Sequence, residues 1–558
     1  MGQGVGRRAA EPARGRRVAG LVSEPLARRF AALLKQSGQI GNPAVLAAES
    51  VGRARRAVIL IAPAAVVSTL FVSIWFVILA ALPLLFLILP ELRLRDSVAQ
   101  RREGVEKELP FFSVVVNVLA GAGIPLYSIL RDIGSTDTFA AMRRESQLVN
   151  RDVTIFGMNP NDSLERLASN HPSRRFGDFL LGYTSKARSG GDVAMYLTGE
   201  SASLLKGLED DWGRYAARVG VIGSMMITAF GVVPLLLMVV GVFSPGFSIV
   251  GLLFFTGVGV PFVTVGLLYL AGRMQPMGEE SVHGRAVRSA LISVPGLLVG
   301  VPLGEIWVSA GSALFIFFVA YGLSVREQIA ETRALEEGLT RFLKDLLEYK
   351  RQEYDLTRAM LAIQANGRYN PRFGKLLSRV AAQVKAGVPL DEVKVECRGR
   401  LVRLAFLLLG QMSRSGGGTV DTVFQISSFA DRMTDMKRNA AAEMKPYLVL
   451  SYMSPILLAF GVTFVGGVLS SFSGPLRPVS ASLHAGGIQI GSPPPQLTQV
   501  SDLLIVVSAA SLGLIGAKIT DFTVRNTLKA SVNVALAVAA VSLMATLGSH
   551  SLTQLLGR

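Results

Sequence analysis

The sequence has few of the residues that build disulfide frameworks, metal centres or catalytic sites. Its 558 residues include one cysteine, Cys397, so an intramolecular disulfide and any multi-cysteine zinc or iron–sulfur site are excluded. The four histidines (His171, His283, His484 and His550) are scattered, which argues against a histidine metal cluster. No GK[ST] phosphate loop, HExxH helix or GxSxG nucleophile elbow stands out. We therefore expect no catalytic residue, no cofactor, no metal ion and no nucleotide hydrolysis by this chain itself.

Charged residues are also scarce, at 17 % of the chain, whereas 50 % of the residues are hydrophobic and the mean hydropathy is +0.44. Long runs without any charge, such as 57–90, fit membrane spans, because about 20 helical residues cross the hydrocarbon core. Lipid offers no hydrogen-bond partner to an open backbone, so the spans are expected to be helices. The composition therefore predicts an all-α polytopic membrane protein.

The formal net charge of +17 raises the question of nucleic-acid binding, but the distribution of the charge argues against it. Residues 1–57 contain 11 Lys and Arg against 3 Asp and Glu, and residues 324–445 contain 21 against 15. Residues 91–218 contain 17 of each sign. No basic stripe with interleaved aromatic residues occurs, so we interpret the excess as a topology signal and an attraction to the anionic lipid bilayer.

Basic residues lie on both sides of each of the three longest apolar runs, and the positive-inside rule then assigns about nine transmembrane helices. Arg53, Arg55 and Arg56 precede the first run, and Arg93 and Arg95 follow it, so a hairpin keeps both clusters in the cytoplasm. The predicted spans are hairpins at 58–90, 219–272 and 289–323 and single helices at 446–472, 501–517 and 530–548.

The same topology assigns the segments between the spans and places the protein in the plasma membrane. The N-terminus is predicted to be cytoplasmic and the C-terminus extracytoplasmic. Glu305 is the one charge in the third hairpin and is expected at its outer turn, in contact with water. The predicted connections are a basic cytoplasmic segment at 1–57, a short cytoplasmic loop at 273–288, an extracytoplasmic loop at 473–500, a cytoplasmic link at 518–529 and an extracytoplasmic tail at 549–558.

Two polar regions, 91–218 and 324–445, are large enough to form cytoplasmic domains. Both have helical periodicity, and neither has the two-residue alternation of strands. The predicted buried faces are Leu109, Phe112, Val116 and Leu119 in the first region and Leu335, Leu339, Phe342 and Leu346 in the second. We expect two helical bundles.

An internal repeat relates these two regions. Leu109 and Phe112 match Leu339 and Phe342, and the stretch 185–192 (SKARSGGD) matches the stretch 411–418 (QMSRSGGG). In both regions an apolar helix is predicted to end at a Ser-Gly-Gly turn, and an amphipathic helix is predicted to lead from that turn into the membrane. The sequence thus predicts one duplicated domain.

The Ser-Gly-Gly turns are the first candidate functional feature. Glycine suits the left-handed conformation that ends a helix, and a basic residue suits a helix C-terminus, so a structural role is the main interpretation. The alternative is that each turn is a corner that faces a partner. The corner residues are Arg188, Ser189, Gly190, Gly191 and Asp192 in the first copy and Arg414, Ser415, Gly416, Gly417 and Gly418 in the second.

Two acidic clusters are further candidates for partner docking, although a solvated helix face is the main interpretation. The clusters are Glu209, Asp210 and Asp211 in the first region and Asp391 and Glu392 in the second.

A duplicated helical domain with these corners resembles the type II secretion system F-domain family of inner-membrane platform proteins. The stretches 108–112 (ELPFF), 121–126 (GAGIPL) and 386–390 (AGVPL) are similar to that family's helix-turn pattern, and the resemblance covers roughly 105–245 and 335–470. Bacterial secretion platforms usually have three spans, so about nine spans look more like the archaeal platforms of the archaellum and adhesion pili. Thr340 stands at the position of Pro110, and Gly418 at that of Asp192, so the copies are not interchangeable.

The resemblance implies a non-enzymatic platform for a type IV pilus-like filament. Such a platform would engage a separate cytosolic hexameric ATPase and pilin-like or archaellin-like subunits, would form a homo-oligomer and would bind no nucleic acid. The main alternative is a secondary transporter or permease, favoured by the span count and by Pro234 and Pro261 within spans. A membrane-anchored signalling protein is a further alternative.

Overall fold

The fold is entirely helical in the part of the chain that the computed structural model describes, and no strand occurs there. The predicted all-α polytopic class is confirmed. The described residues are 27–38, 42–52, 56, 82–121, 123–134, 138–243, 245–276, 284–414, 419–473 and 495–550.

The contacts divide the chain into two compact units, Met1–Leu205 and Lys206–Arg558. The first unit contains helical residues 27–37 (α1) and 43–52 (α2), then α3 (Leu82–Gly121), α4 (Leu126–Gly134), α5 (Ala140–Thr154), α6 (Pro160–Asn170), α7 (Arg174–Ser189) and the beginning of α8 (Val193–Ile227).

The second unit begins within α8, which continues through a π-helical turn, Thr228–Val232, into α9 (Val233–Phe243). The helices that follow are α10 (Pro245–Phe254), a π-helical turn (Phe255–Gly259), α11 (Val260–Met274), α12 (Ala286–Val299), a 3-10 turn (Val301–Leu303), α13 (Ile306–Arg351), α14 (Leu356–Asn366), α15 (Pro371–Lys385), α16 (Arg400–Arg414), α17 (Val420–Ser473), α18 (Pro495–Asp521) and α19 (Leu528–His550).

The core of the first bundle surrounds Phe112 on α3, which is fully buried. Its ring lies edge-on to those of Phe139 and Phe179, with centroids 6.5 and 6.0 Å away. The predicted face of α3 is buried at all four positions, since Leu109, Val116 and Leu119 are also at most 3 % exposed. Helical periodicity therefore identified the side of α3 that packs against α5 and α7.

The second bundle repeats this plan around Phe342 on α13, which is also fully buried. Phe342 stacks on Phe406 of α16 at 5.7 Å and lies 5.8 Å from Phe373 of α15. The predicted face of α13 is buried as well, at Leu335, Leu339 and Leu346. In both bundles the central phenylalanine contacts an aromatic ring of the helix that leads to the Ser-Gly corner.

The two bundles share a helix order but differ at one element. In that order α3, α4, α5, α7 and α8 correspond to α13, α14, α15, α16 and α17. The helix α6 has no counterpart, because residues 386–399 between α15 and α16 are not helical. The turn at Gly123 follows α3, whereas the turn at Gly387 follows α15, so these two similar stretches occupy different places in the two copies.

Six described helices are long and apolar enough to cross a membrane: Val193–Val240, Ile249–Met274, Ile306–Arg351, Val420–Gly466, Gln496–Asp521 and Leu528–Thr546. The apolar α12 is shorter, with 14 residues, and extends about 21 Å. It meets α13 at a turn that contains Glu305 and the left-handed Gly304, where φ is +67°. The predicted hairpin 58–90 lies outside the described residues except for 82–90, so the count of nine stays a prediction.

The membrane helices pack around α18, because 78 % of its apolar window is buried against at most 39 % for the other five spans. Small residues allow the close contacts. A Cβ atom at Gly513 of α18 would lie 2.3 Å from the Cα atom of Ala530 on α19. Asn533 of α19 is fully buried and hydrogen-bonds to the Ser451 hydroxyl of α17 at 3.1 Å. Backbone-to-backbone approach and a buried polar pair thus hold α17, α18 and α19 together.

Candidate functional site

The corner of the first copy has the geometry that its glycines predict. The helix α7 ends at Ser189, and Gly190 adopts the left-handed conformation, with φ +66° and ψ 18°. The Gly191 amide donates to the Lys186 carbonyl at 3.0 Å. A Cβ atom at Gly190 would meet no atom within 4 Å, so the backbone conformation rather than crowding favours glycine there.

The two charged residues of this corner have partners within the bundle. Arg188 is half-exposed, and its Nη2 atom lies 2.5 Å from Asp162 Oδ1 and 3.1 Å from Glu165 Oε2, both on α6. Asp192 accepts a hydrogen bond from the Met195 amide at 2.9 Å and so caps the N-terminus of α8. Arg188 therefore fixes α7 to α6, and Asp192 starts α8 as its N-cap, which are structural roles of the kind that the sequence favours.

The corner of the second copy lies partly outside the described residues, which exclude Ser415, Gly416, Gly417 and Gly418. Arg414 is the exposed last residue of α16. The helix α17 starts after Thr419, whose hydroxyl accepts from the Thr422 amide at 3.3 Å. The outgoing helix is therefore capped by a side-chain oxygen in both copies, although glycine replaces Asp192 in the matched stretch.

The acidic candidates differ in exposure. Glu209 and Asp210 are exposed on α8, whereas Asp211 is half-buried and forms an ion pair with Arg214 one turn further along. Glu392 is exposed and Asp391 is half-buried. The Asp391 backbone packs on α16, since a Cβ atom at Gly410 would lie 2.8 Å from the Asp391 Cα atom. Glu209, Asp210 and Glu392 are thus the acidic candidates open to a partner.

No sequence pattern predicted the main ionic centre of the second unit, which lies where α18 meets the link to α19. Asp521 is 6 % exposed and binds two cations, Arg333 Nη2 of α13 at 2.7 Å and Lys529 Nζ of α19 at 2.7 Å. The Asn526 amide donates to the same carboxylate at 2.7 Å. One buried carboxylate therefore ties the second helical domain to two membrane helices. The sequence signal is slight, because a single aspartate stands in a segment that looks like a basic loop.

The next residue, Phe522, packs against α8 beside this ionic centre. Its backbone is left-handed, with φ +58°, and its ring lies 5.1 Å from the ring of Trp212 and 6.1 Å from that of Tyr215. Trp212 and Tyr215 are at most 3 % exposed. We call Trp212, Tyr215, Asp521, Phe522 and Arg333 the link junction. The strained backbone at a bulky residue indicates that these ring contacts determine the conformation.

The helices that leave the two domains also touch each other directly. Tyr447 of α17 lies against Gly220 and Gly223 of α8. A Cβ atom at Gly220 would lie 2.9 Å from the Tyr447 hydroxyl oxygen, and one at Gly223 would lie 2.3 Å from its ring. Nearer the N-terminus of α17, Lys437 forms an ion pair with Glu336 of α13 at 2.6 Å. The absence of side chains at two positions of α8 allows α17 to pack closely against it.

The first bundle contains a buried ion pair that its copy lacks. Arg101 of α3 forms two hydrogen bonds to Glu145 of α5, at 2.8 and 2.5 Å, and its Nη1 atom donates to the Gln36 carbonyl at 2.7 Å. His171 Nε2 lies 3.6 Å from the same carboxylate, and the His171 side chain is fully buried. Burial raises the pKa of Glu145, but the hydrogen bonds from Arg101 and the proximity of His171 outweigh burial and lower the pKa below its usual 4.5.

The matching position of the second bundle is apolar. Met142, Glu145 and Val149 of α5 correspond to Phe373, Leu376 and Val380 of α15 in burial and spacing. Leu376 is 5 % exposed, so the second bundle fills the same place with a leucine. The ion pair is therefore a feature of the first copy alone, where it also holds the N-terminal helix α1 through Gln36.

Comparison with known proteins matches these two bundles and the membrane helices after them. Residues 112–241 and 324–467 match the family described as type II secretion system (T2SS), protein F. An uncharacterised protein from Methanocaldococcus jannaschii is 18 % identical over 414 residues, which cover 66 % of this chain and 69 % of that protein. No solved structure matches the chain.

Proposed function

The chain carries two copies of the type II secretion system protein F domain, and on this premise we propose that it is the membrane platform of a type IV pilus-like filament. In this role it couples a separate cytosolic hexameric ATPase to the extraction and polymerisation of pilin-like subunits. The role is non-enzymatic, because the work of nucleotide hydrolysis belongs to the ATPase. The similarity to a protein of Methanocaldococcus jannaschii supports an archaeal type of filament, such as an archaellum or adhesion pilus.

The observation that carries this proposal is the continuity of the helices that leave the two domains. The helix α17 runs from the second corner to the far end of its membrane span without a break, over 54 residues and about 81 Å. In the first copy, Val193–Val240 is likewise one continuous helical stretch. A rotation or tilt of either domain is therefore passed to the membrane through a continuous helix rather than through a loop.

The link junction supports coupling between the two copies. Phe522 contacts α8 of the first copy, and the adjacent Asp521 binds Arg333 of α13 of the second copy. Tyr447 adds a direct contact between α8 and α17. Movement of either outgoing helix would therefore change contacts of the other at the base of the membrane helices.

The membrane topology that we propose for the chain follows from its charge distribution. Both domains and the N-terminus are cytoplasmic, and the C-terminus is extracytoplasmic. The corners at Arg188 and Arg414 belong to the surface that faces the ATPase, and the basic second domain is suited to an acidic face of that partner. Several copies of the chain surround the base of the filament.

The ion pairs of Arg188 make a sharp test of the corner surface possible. Arg188→Glu reverses the exposed charge and also breaks the contacts with Asp162 and Glu165. The double variant Asp162→Asn, Glu165→Gln breaks the same contacts and leaves the arginine in place. We expect that the Arg188→Glu variant no longer co-purifies with the ATPase and no longer supports filament assembly. The double variant should still co-purify with the ATPase and support filament assembly. Equal loss in the two variants, or no loss with Arg188→Glu and Arg414→Glu together, would contradict the assignment.

A further inference from the structure

A cavity of about 540 Å³ lies among α13, α17 and α19 near the link junction. Its polar wall contains Arg326 and Arg333 of α13, Lys529 of α19 and the Tyr452 side chain of α17. One carboxylate, that of Glu337, also lines it. The volume is within the usual range of small-molecule sites, about 300–1,000 Å³.

The charges of this cavity leave a positive excess. Arg333 and Lys529 share the single carboxylate of Asp521, so these three groups together carry one positive charge. Arg326 is exposed and adds a second positive charge, and Glu337 removes one. The remaining charge of +1 complements a single phosphodiester, and arginine suits the paired oxygens of that group.

The cavity also has an apolar wall, formed by side chains of the same helices, α13 and α19, that carry its cations. Ile329, Leu528 and Val532 line the cavity. Val532 is 46 % exposed, and Leu323, one turn before Arg326 on α13, is 54 % exposed. The sequence from Ile306 to Leu323 contains no charge, so Arg326 stands where α13 leaves the hydrocarbon core. A polar anion site therefore adjoins an apolar track at the level of the lipid headgroups.

We propose that this cavity binds the phosphate headgroup of an anionic phospholipid, with an acyl chain lying along Leu323 and Val532. Basic pockets between membrane helices on the cytoplasmic side are suited to such headgroups. A free phosphate would satisfy the cations but would leave the apolar wall uncovered, which favours the lipid. The inference stands apart from the proposed platform function, because it depends only on the membrane helices and the cavity.

The test uses the purified full-length chain in nanodiscs of dioleoyl phosphatidylcholine with increasing fractions of dioleoyl phosphatidylglycerol. The protein is then released from the nanodiscs, and native mass spectrometry counts the phosphatidylglycerol molecules that it retains. We expect Arg326→Gln to weaken retention about fivefold, the effect of about 1 kcal/mol for one arginine near a membrane surface. Arg288→Gln is the matched control, because Arg288 is an exposed arginine at the start of the membrane helix α12 and lies outside this cavity.

A second variant tests the space rather than the charge. Ala330→Trp fills the cavity and leaves each cation in place, and it should also reduce phosphatidylglycerol retention. The inference is overturned if Arg326→Gln and Arg288→Gln behave alike, or if retention is unchanged in Ala330→Trp. It is equally overturned if inorganic phosphate displaces the lipid as well as added phosphatidylglycerol does, since that result would identify a site for soluble anions.

Discussion

Gly123 and Glu353 adopt the same left-handed conformation at the same point of the two domain copies, with φ values of +80° and +61°. Each lies two residues after the end of the first long helix of its copy, α3 or α13. The hydrogen bonds also match, since the Gly123 amide donates to the Ala120 carbonyl at 2.9 Å and the Glu353 amide to the Lys350 carbonyl at 3.0 Å. The backbone of this turn is thus the same in both copies, but glycine, the residue that best suits it, is present only in the first copy.

This difference predicts opposite effects of reciprocal substitutions. Glu353→Gly should stabilise the second domain by about 1 kcal/mol, because glycine adopts the left-handed region without the penalty of a side chain. Gly123→Ala should destabilise the first domain by a similar amount, and by strain alone, because its Cβ atom would meet no atom within 4 Å. Hydrogen exchange of the amides in α4 and α14 measures both effects. Destabilisation by Glu353→Gly would show that the glutamate side chain contributes more than the strain removes.

The Arg101–Glu145 pair predicts a strong non-additivity. Glu145→Leu leaves Arg101, whose side chain is 9 % exposed, without its buried carboxylate and should destabilise the first bundle by about 3–5 kcal/mol. Adding Arg101→Met should restore most of that stability, because Leu376 shows that the same place accepts a leucine in the second bundle. Hydrogen exchange of the amides in α3 and α5 measures the stability of the first bundle in the wild type, the two single variants and the double variant. Additive losses in the double variant would contradict this account.

The same pair predicts a dependence on pH. The pKa of Glu145 is lower in the folded protein than its usual 4.5, so its contribution to stability is complete above pH 4.5 and decreases as the pH falls through the folded pKa. The Arg101→Met, Glu145→Leu double variant lacks this contribution. The Tm difference between the wild type and the double variant, followed by circular dichroism, should therefore change on acidification below pH 4.5. A Tm difference that does not change with pH would contradict a stabilising contribution from the Arg101–Glu145 ion pair.

The aromatic contact of the link junction predicts a coupling energy between α8 and the link. Trp212→Ala and Phe522→Ala should each expose the link to faster hydrogen exchange, and the double variant should show a coupling of about 0.5–1.5 kcal/mol, as expected for an edge-to-face aromatic pair. Tyr269→Ala is a suitable control, since Tyr269 is 64 % exposed on α11. A coupling near zero would mean that Phe522 does not hold α8.

Much of the architecture could be predicted from the sequence because local patterns determine it. The helical periodicity around Phe112 and Phe342 identified both buried faces, and Gly190 identified the end of α7. The duplication was also visible from the spacing of short matches. The family membership then followed from the same stretches that match the protein F family.

The long-range contacts could not be predicted, because they join residues that carry no mutual signal in one sequence. Arg333 and Asp521 are 188 residues apart, and nothing near either residue indicates the other. Phe522 looks like an isolated aromatic residue in a polar link until α8 is packed beside it. The loss of α6 in the second copy was equally hidden, since residues 386–399 contain a Gly-Val-Pro turn like others in the chain. The domain boundaries and the orientation in the membrane stay predictions.

The central claim is that the two domains transmit the work of an ATPase to a growing filament, and cross-linking in living cells tests it most directly. A photo-reactive amino acid at Phe424, which is 54 % exposed on α17, or at the exposed Glu392 would report the partners of the second domain. The same residue at Val250, which is 75 % exposed on the membrane helix α10, serves as the control. We predict that mass spectrometry identifies a hexameric ATPase at Phe424 or Glu392 and not at Val250. Capture of a solute-binding or energy-coupling transport partner instead would contradict the account.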